Sequence, residues 1–357
     1  MKILAINPGS TSTKVAVYED EKPIWMTAMH HPLEDLAKFD RVSDQFEYRK
    51  DFILERLKEA GISLDFDAVI GRGGLLKPLH GGVYRVNDTM IHDLIHAPKD
   101  HACNLGVLIA KDIAKECSCP AFTADPGVTD ELRPEARISG LPGMERISIF
   151  HALNSKALAR KYAASVGKKY EDMNFIVAHL GGGISIGAHL KGNVVDVNNA
   201  FDGDGPFSPE RAGTLPAAQL AELCFSGKYT LAEVKKLISG KGGLMAHLGS
   251  NNMIDISHRA EKGEEPYKGV LDAMIYNIAK SIGSMYVALV GKVDAIIITG
   301  GIAHDEYCVA NLKRQIDYLA PIVVMPGENE LESLAFNALG ALKGTLPLLT
   351  YTGEPLK

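Results

Sequence analysis

The chain has 357 residues, 46% of them hydrophobic and 23% charged, with a formal net charge of −6. That length predicts two globular domains, and the acidic balance excludes a general nucleic-acid binder, which would carry a basic excess. Five cysteines, odd in number and without CxxC spacing, exclude a disulfide framework or an ordinary zinc site and fit a reducing cytoplasm.

The opening strand ends at Asn7-Pro-Gly, too soon for a secretory leader. No apolar run approaches the roughly 20 residues that span a bilayer. A cytoplasmic protein without membrane contact is expected, so the Asn87-Asp-Thr89 sequon carries no weight.

In chain order, residues 3–6 read as a buried strand and 15–18 as a second. Between them lies Asn7-Pro-Gly-Ser-Thr-Ser-Thr-Lys14. The hydroxyls of Ser10, Thr11, Ser12 and Thr13 and the Lys14 ammonium suit phosphate oxygens. A third apolar run covers 24–28. A helix-like stretch over 40–61 places Phe46, Ile53, Leu54 and Leu57 on one face. A short strand over 68–70 delivers Gly71-Arg-Gly-Gly74, where Arg72 either sits on the surface or clamps a carboxylate or phosphate. A turn and strand over 81–86, an amphipathic helix over 105–117 and a strand over 121–124 follow. Asp125-Pro-Gly127 ends that strand, and Asp125 either starts a turn or holds Mg²⁺ through water. His92 and His96 stand at i,i+4, but no third ligand follows at a metal-binding spacing. Alternating strands and helices indicate an α/β fold.

A helix over 151–166 precedes strands over 175–178 and 184–190, joined by Gly181-Gly-Gly183. Laying Ile3 on Ile176 puts Gly9 on Gly182 and Ser12 on Ser185, so the unit recurs and two similar domains are expected. Glycines there permit positive φ and close approach of a ligand, and successive N–H groups can form an anion nest. The alternative is an ordinary hairpin. Two phosphate-gripping hairpins imply a nucleotide held in a cleft. A strand over 193–197 runs into a long Gly-, Pro- and Asp-rich loop over 198–211. Helices over 215–225, 230–238, 270–289 and 331–342 and strands over 294–301 and 321–325 complete the chain. The first domain boundary is placed near 150. There is no GxxxxGK[ST], GxGxxG or HExxH pattern.

Asn7 to Lys14, His179-Leu-Gly-Gly-Gly183 and Thr299-Gly-Gly301 resemble the two phosphate motifs and the adenosine motif of the acetate and butyrate kinases, within the actin/hexokinase/Hsp70 superfamily. The Gly71–Gly74 corner, Ile149-Phe-His-Ala-Leu-Asn154 and the 202–214 loop look most like butyrate and branched-chain fatty-acid kinases. The resemblance covers essentially the whole chain. It implies two ribonuclease-H-like domains with an active-site cleft between them, residues 1–149 with a C-terminal helix of about 333–357, and 150–332. It further implies ATP and Mg²⁺, a short aliphatic carboxylate as substrate, an acyl phosphate and ADP as products, and a homodimer or larger assembly built through the second domain. By similarity, Asn7, Ser10, Ser12 and Lys14 face the transferred phosphoryl and its metal. His179, Gly181, Gly182 and Gly183 hold nucleotide phosphates. Gly300 and Gly301 lie against the adenosine. Arg72 and Arg211 flank carboxylate and phosphoryl, Asp125 and Glu330 serve the metal, and His151 stabilises the phosphoryl in flight. Gly74 and Phe150 wall the acyl pocket, with Gly74 leaving room for a longer chain. The family's Ser-Asp-x-Arg stretch at the nucleoside becomes Asn251-Asn-Met-Ile254. The competing readings are a sugar or amino-sugar kinase of the same superfamily and a non-catalytic nucleotide-binding regulator.

Overall fold

The computed structural model describes residues 1–97, 99–354 and 356. It divides into two compact units, residues 1–129 with 329–357, and residues 130–328. Residues 130–149, placed in the first domain on sequence, go with the second unit for a visible reason. Arg133 N donates to Val195 O at 3.1 Å, Arg146 donates to Asp196 Oδ1 at 2.8 Å and Val197 O at 2.9 Å, and buried Lys156 pairs with Glu131 at 2.7 Å.

The first unit holds a sheet of β1 (Lys2–Pro8), β2 (Ser12–Glu19), β3 (Lys22–His30), β4 (Ala68–Gly71), β5 (Val83–Arg85), β6 (Ala121–Ala124) and β12 (Leu348–Thr350), ordered β12-β5-β6-β4-β1-β2-β3. β1 runs antiparallel to β2 and parallel to β4. Leu4 and Ile6 face a core containing Ile53, Leu57, Leu105 and Ile109. Ile3 and Ala5 point to the other face by strand alternation and are equally buried. A strand covered on both faces reads as a continuous apolar run. Helices Asn104–Glu116 and Glu330–Leu342 both pack on β1, β4 and β6. The expected C-terminal helix therefore stops at Leu342, and the chain returns as β12; Pro355 and Lys357 of that expected segment lie outside the described residues.

The second unit repeats the plan with β7 (Asn174–Leu180), β8 (Ile184–Leu190), β9 (Asn193–Val197), β10 (Ala295–Gly300) and β11 (Ile322–Pro326), ordered β11-β10-β7-β8-β9. β7 is again antiparallel to its hairpin partner and parallel to a later strand. Phe175, Val177, Ala295 and Ile297 face helix Ala152–Ser165 through Ala159 and Ala163. Ile176, Ala178, Ile296 and Ile298 face the long helix Tyr267–Ala288. The small residues Ala159 and Ala163 give the first of these helices a close seat.

The two hairpins differ in their turns. Ile6 pairs with Val15, nine residues on, whereas His179, laid on Ile6 by the repeat, pairs with Ser185, six residues on. The second turn is three residues tighter, so in the ladder Ser185 takes the place of Val15 rather than that of Ser12.

Candidate active site

In the first unit the end of β1, the corner after β4 and the start of helix Glu330–Leu342 bring three predicted residues together. Asn7 is buried, and its Nδ2 donates to Glu330 Oε2 at 2.5 Å. Arg72 Nη1 donates to the same oxygen at 3.0 Å and to Asn7 Oδ1 at 3.3 Å, while Nη2 meets Glu330 Oε1 at 3.0 Å. Ser10 stands exposed on the turn, Lys14 exposed on β2, and Ser12, where β2 begins, half-buried. Cys103 lies near this group; burial pushes its thiol up to about 11, leaving it a neutral thiol.

The corner carrying Arg72 is glycine-rich because helix Asn104–Glu116 presses against it. A Cβ on Gly74 would sit 2.5 Å from Asn104 Oδ1, 2.6 Å from Asn104 Cα and 2.8 Å from Leu94 Cδ2. The volume expected to be vacant for a longer acyl chain is thus filled by protein. Asn104 Oδ1 accepts from Leu75 N at 2.8 Å, fixing that packing. Asp125 has no exposed surface, adopts φ +39°, and accepts from Gly82 N at 2.7 Å. Its carboxylate is engaged with the backbone of the neighbouring turn. Phe150, expected on the pocket wall, is packed with Leu132, Ala136, Val194 and Val197 in a small core. His92 and His96 are exposed, their rings 4.3 Å apart. Among the described residues no three His, Cys, Asp or Glu side chains gather as a metal cage.

In the second unit the β7–β8 turn organises the site. None of Gly181, Gly182 and Gly183 takes the positive φ that glycine permits. Close approach requires Gly183, where a Cβ would overlap the Arg211 guanidinium. Arg211 lies 5.1 Å over the Phe201 ring, and its Nη1 donates to Ala200 O. A Cβ on Gly182 meets nothing nearer than Glu210 Oε2 at 3.8 Å, leaving that glycine open to a ligand. Gly300 is the conformational glycine of this region, at φ +89° and pressed on the Leu180 backbone. It packs against the turn, while Gly301 has open space beside it.

His151 and His179 stack with ring centroids 3.8 Å apart and planes 7° from parallel. A hydrogen-bond chain holds the His179 ring in place. Thr299 Oγ1 donates to Gly327 O at 3.2 Å; Asn154 Nδ2 approaches Thr299 Oγ1 at 3.3 Å and His179 Nδ1 at 3.0 Å. On its other side the ring's Nε2 faces Glu328 Oε1 at 3.0 Å. His151 Nδ1 meets Ser185 Oγ at 2.9 Å.

A cavity of about 770 Å³ opens beside this turn, lined by Gly181, Gly182, Glu210, Ile254, Gly301 and Ile302 among others. The volume lies in the range of small-ligand sites. Asn252 caps helix Met253–Glu261, its Oδ1 accepting from Ile254 N at 3.2 Å; Asn thus performs the capping that Asp would. Ile254 is 84% exposed on the cavity wall and gives it an apolar side.

A family model described as the acetokinase family matches residues 144–322. The chain is 67% identical to a "Probable butyrate kinase" of Phocaeicola vulgatus over 99% of this chain and 100% of that protein. It is 57% identical to one of Bacteroides thetaiotaomicron over 98% and 100%. The chain belongs to the acetokinase family. Its fold matches that of Porphyromonas gingivalis acetate kinase with a TM-score of 0.76 at 18% identity, over 94% of this chain and 98% of that one.

Within this acetokinase-family chain, sequence reading missed Arg49, Asn154 as the orienter of His179, and the carboxylates Glu210 and Glu328 at the glycine turn. Arg49 had a signal. It stands three residues after Phe46 and four before Ile53, on the buried stripe of its helix.

Proposed function

We propose that the chain transfers the terminal phosphoryl of ATP to a short aliphatic carboxylate, butyrate or a branched analogue, giving an acyl phosphate and ADP, reversibly. One observation carries the choice of a carboxylate. Arg72, at a glycine corner beside the hydroxyl-rich turn, already holds a carboxylate with both terminal nitrogens, that of Glu330. A guanidinium fork so placed suits a carboxylate substrate.

A carboxylic acid with a pKa near 4–5 is ionised at neutral pH, so the nucleophile needs no base. The obstacle is charge, since an anion must approach a polyanion. Phosphoryl transfer rests on positioning and electrostatic stabilisation. Arg72 would orient the carboxylate, and the turn after β1 would bind the phosphoryl oxygens. Arg211 would supply positive charge, and the stacked His151 and His179 would supply hydrogen-bonding ring nitrogens. The cavity beside Gly181 and Gly182 would take the nucleotide, its base against Ile254 and Gly301. Mg²⁺ prefers oxygen ligands and keeps several waters. The adjacent carboxylate of Glu330 and amide oxygen of Asn7 fit that preference and would hold it, Asp125 supporting the turn nearby. The ion would neutralise charge on the phosphate oxygens. A cytoplasmic homodimer or larger homo-oligomer accompanies this reading; light scattering gives its mass. No described helix is long and apolar enough to cross a membrane.

The test is hydroxylamine trapping of acyl phosphate from MgATP with butyrate, isobutyrate, acetate and glucose in parallel. Butyryl hydroxamate is expected. ADP release with glucose and none with any carboxylate would replace this reading with a sugar kinase. Tight ATP binding with no turnover on any substrate would replace it with a regulator.

A further inference from the structure

Arg49 is fully buried, and among the described residues none of its hydrogen bonds goes to a carboxylate. Gln45 Oε1 accepts from Nε at 3.0 Å and from Nη2 at 2.8 Å. Nη1 reaches Gly9 O at 2.8 Å, Ser12 O at 3.2 Å and Thr13 Oγ1 at 3.2 Å, and Nη2 reaches Ser10 O at 2.9 Å. The remaining carbonyl of the turn, Thr11 O, accepts from His31 N at 2.9 Å. An isolated buried charge is costly unless its hydrogens are satisfied. Here every acceptor is neutral, and most belong to the turn after β1.

The consequence for the turn is geometric. A trans peptide points its C=O and the following N–H in opposite directions. With the carbonyls of Gly9 and Ser10 drawn onto Arg49, the N–H groups of Ser10 and Thr11 face away from it, and both residues are exposed. The guanidinium charge lies beneath them, with no carboxylate among the described residues bonded to it.

We propose that Arg49 is the positioning residue of this turn: it draws the carbonyls inward, aims N–H and hydroxyl groups outward, and leaves a positive charge below, forming a preorganised receptor for phosphoryl oxygens. The proposal rests on the kinase reading above. Lysine cannot reproduce it, because a single ammonium has three donors and no planar fork to span these acceptors.

The test uses the full chain with Arg49→Lys, Arg49→Ala and Gln45→Ala. Each is followed by thermal melting, calorimetric MgATP affinity, and kcat and KM for butyrate by hydroxamate formation. For folded Arg49→Lys, kcat should fall about 10²-fold, as for a misplaced catalytic element, while KM for butyrate stays within about threefold. Added guanidinium should restore part of the kcat of Arg49→Ala and none of that of Arg72→Ala. Gln45→Ala, which keeps the charge but loosens the fork, should fall in between. Folded Arg49→Lys with wild-type kcat and MgATP affinity overturns the proposal. So does a loss that follows melting temperature across all three variants and ignores guanidinium. A wild type that makes no hydroxamate removes the kinase reading alone; MgATP affinity then decides for Arg49, an unchanged value in folded Arg49→Lys overturning its role and a weaker one upholding it.

Discussion

Glu330 grips Arg72 through both carboxylate oxygens, each 3.0 Å from a separate guanidinium nitrogen. Asn7 joins them by donating to Glu330 Oε2 at 2.5 Å. Arg72→Ala should lower kcat by roughly 10²–10³, the scale of removing one transition-state donor. The Arg72 side chain is 36% exposed, so the pair adds little to stability and the melting temperature should move by only a few degrees. Near-normal turnover in the folded variant would remove Arg72 from the mechanism.

Gly182 and Gly183 should separate binding from geometry. Gly182→Val has open space around its Cβ. It should melt like wild type yet bind ATP at least about tenfold more weakly, since the branched side chain occupies ligand space. Gly183→Ala intrudes on the Arg211 guanidinium. Its cost should appear in kcat as Arg211 leaves Phe201 and Ala200. Calorimetry beside kinetics checks both; unchanged ATP affinity in folded Gly182→Val would leave the turn a plain hairpin.

Gly74→Val should damage stability rather than retune chain length. Its Cβ would press on Asn104 and Leu94 at 2.5–2.8 Å. Overpacking of this kind costs about 1–3 kcal/mol and sometimes more. A thermal melt with kcat/KM for acetate, propionate and butyrate is the measurement. A variant as stable as wild type that now prefers acetate would restore Gly74 to the pocket wall.

His31 should make the fold acid-sensitive. Burial first, then the neighbouring charges of Arg49 and His30, hold its imidazole down to about 4, and its Nε2 contacts Thr13 Oγ1 at 2.8 Å. Unfolded, the ring titrates near 6.5. Below that pH the unfolded chain takes a proton that the folded chain refuses. The contribution is therefore complete above about pH 6.5 and is lost as pH falls toward 4, up to about 3 kcal/mol. Urea unfolding at pH 7, 6, 5 and 4 should show this decline, and His31→Gln should flatten it. Equal slopes for the two proteins would contradict the assignment.

Much of the architecture was legible because residues 3–6, 175–178 and 295–298 are continuous apolar runs, as strands covered on both faces are. The Ser/Thr-rich and triple-glycine turns were legible as turns between strand pairs, since small and hydroxyl residues interrupt the apolar runs there. Helices Asp88–Ile95, Met253–Glu261 and Glu306–Ile316 were not read. Their Asn87, Asn252 and Asp305 caps look like loop residues until the helix is seen. The boundary at 129/130 was not legible because no change in composition marks it; the hydrogen bonds of Glu131, Arg133 and Arg146 do.

By itself the sequence determined the α/β class, the duplicated strand–turn–strand unit, the family and the polar groups available for phosphoryl transfer, because these depend on local pattern and residue type. Tertiary structure decided which groups meet and which glycines matter. Gly74 is filled by a helix more than twenty residues away, Phe150 is core, Glu330 reaches Arg72 across 258 residues, and Arg49 lies beneath a turn forty residues earlier. Such contacts depend on how side chains fill space between distant elements, and local spacing along the chain holds no record of that.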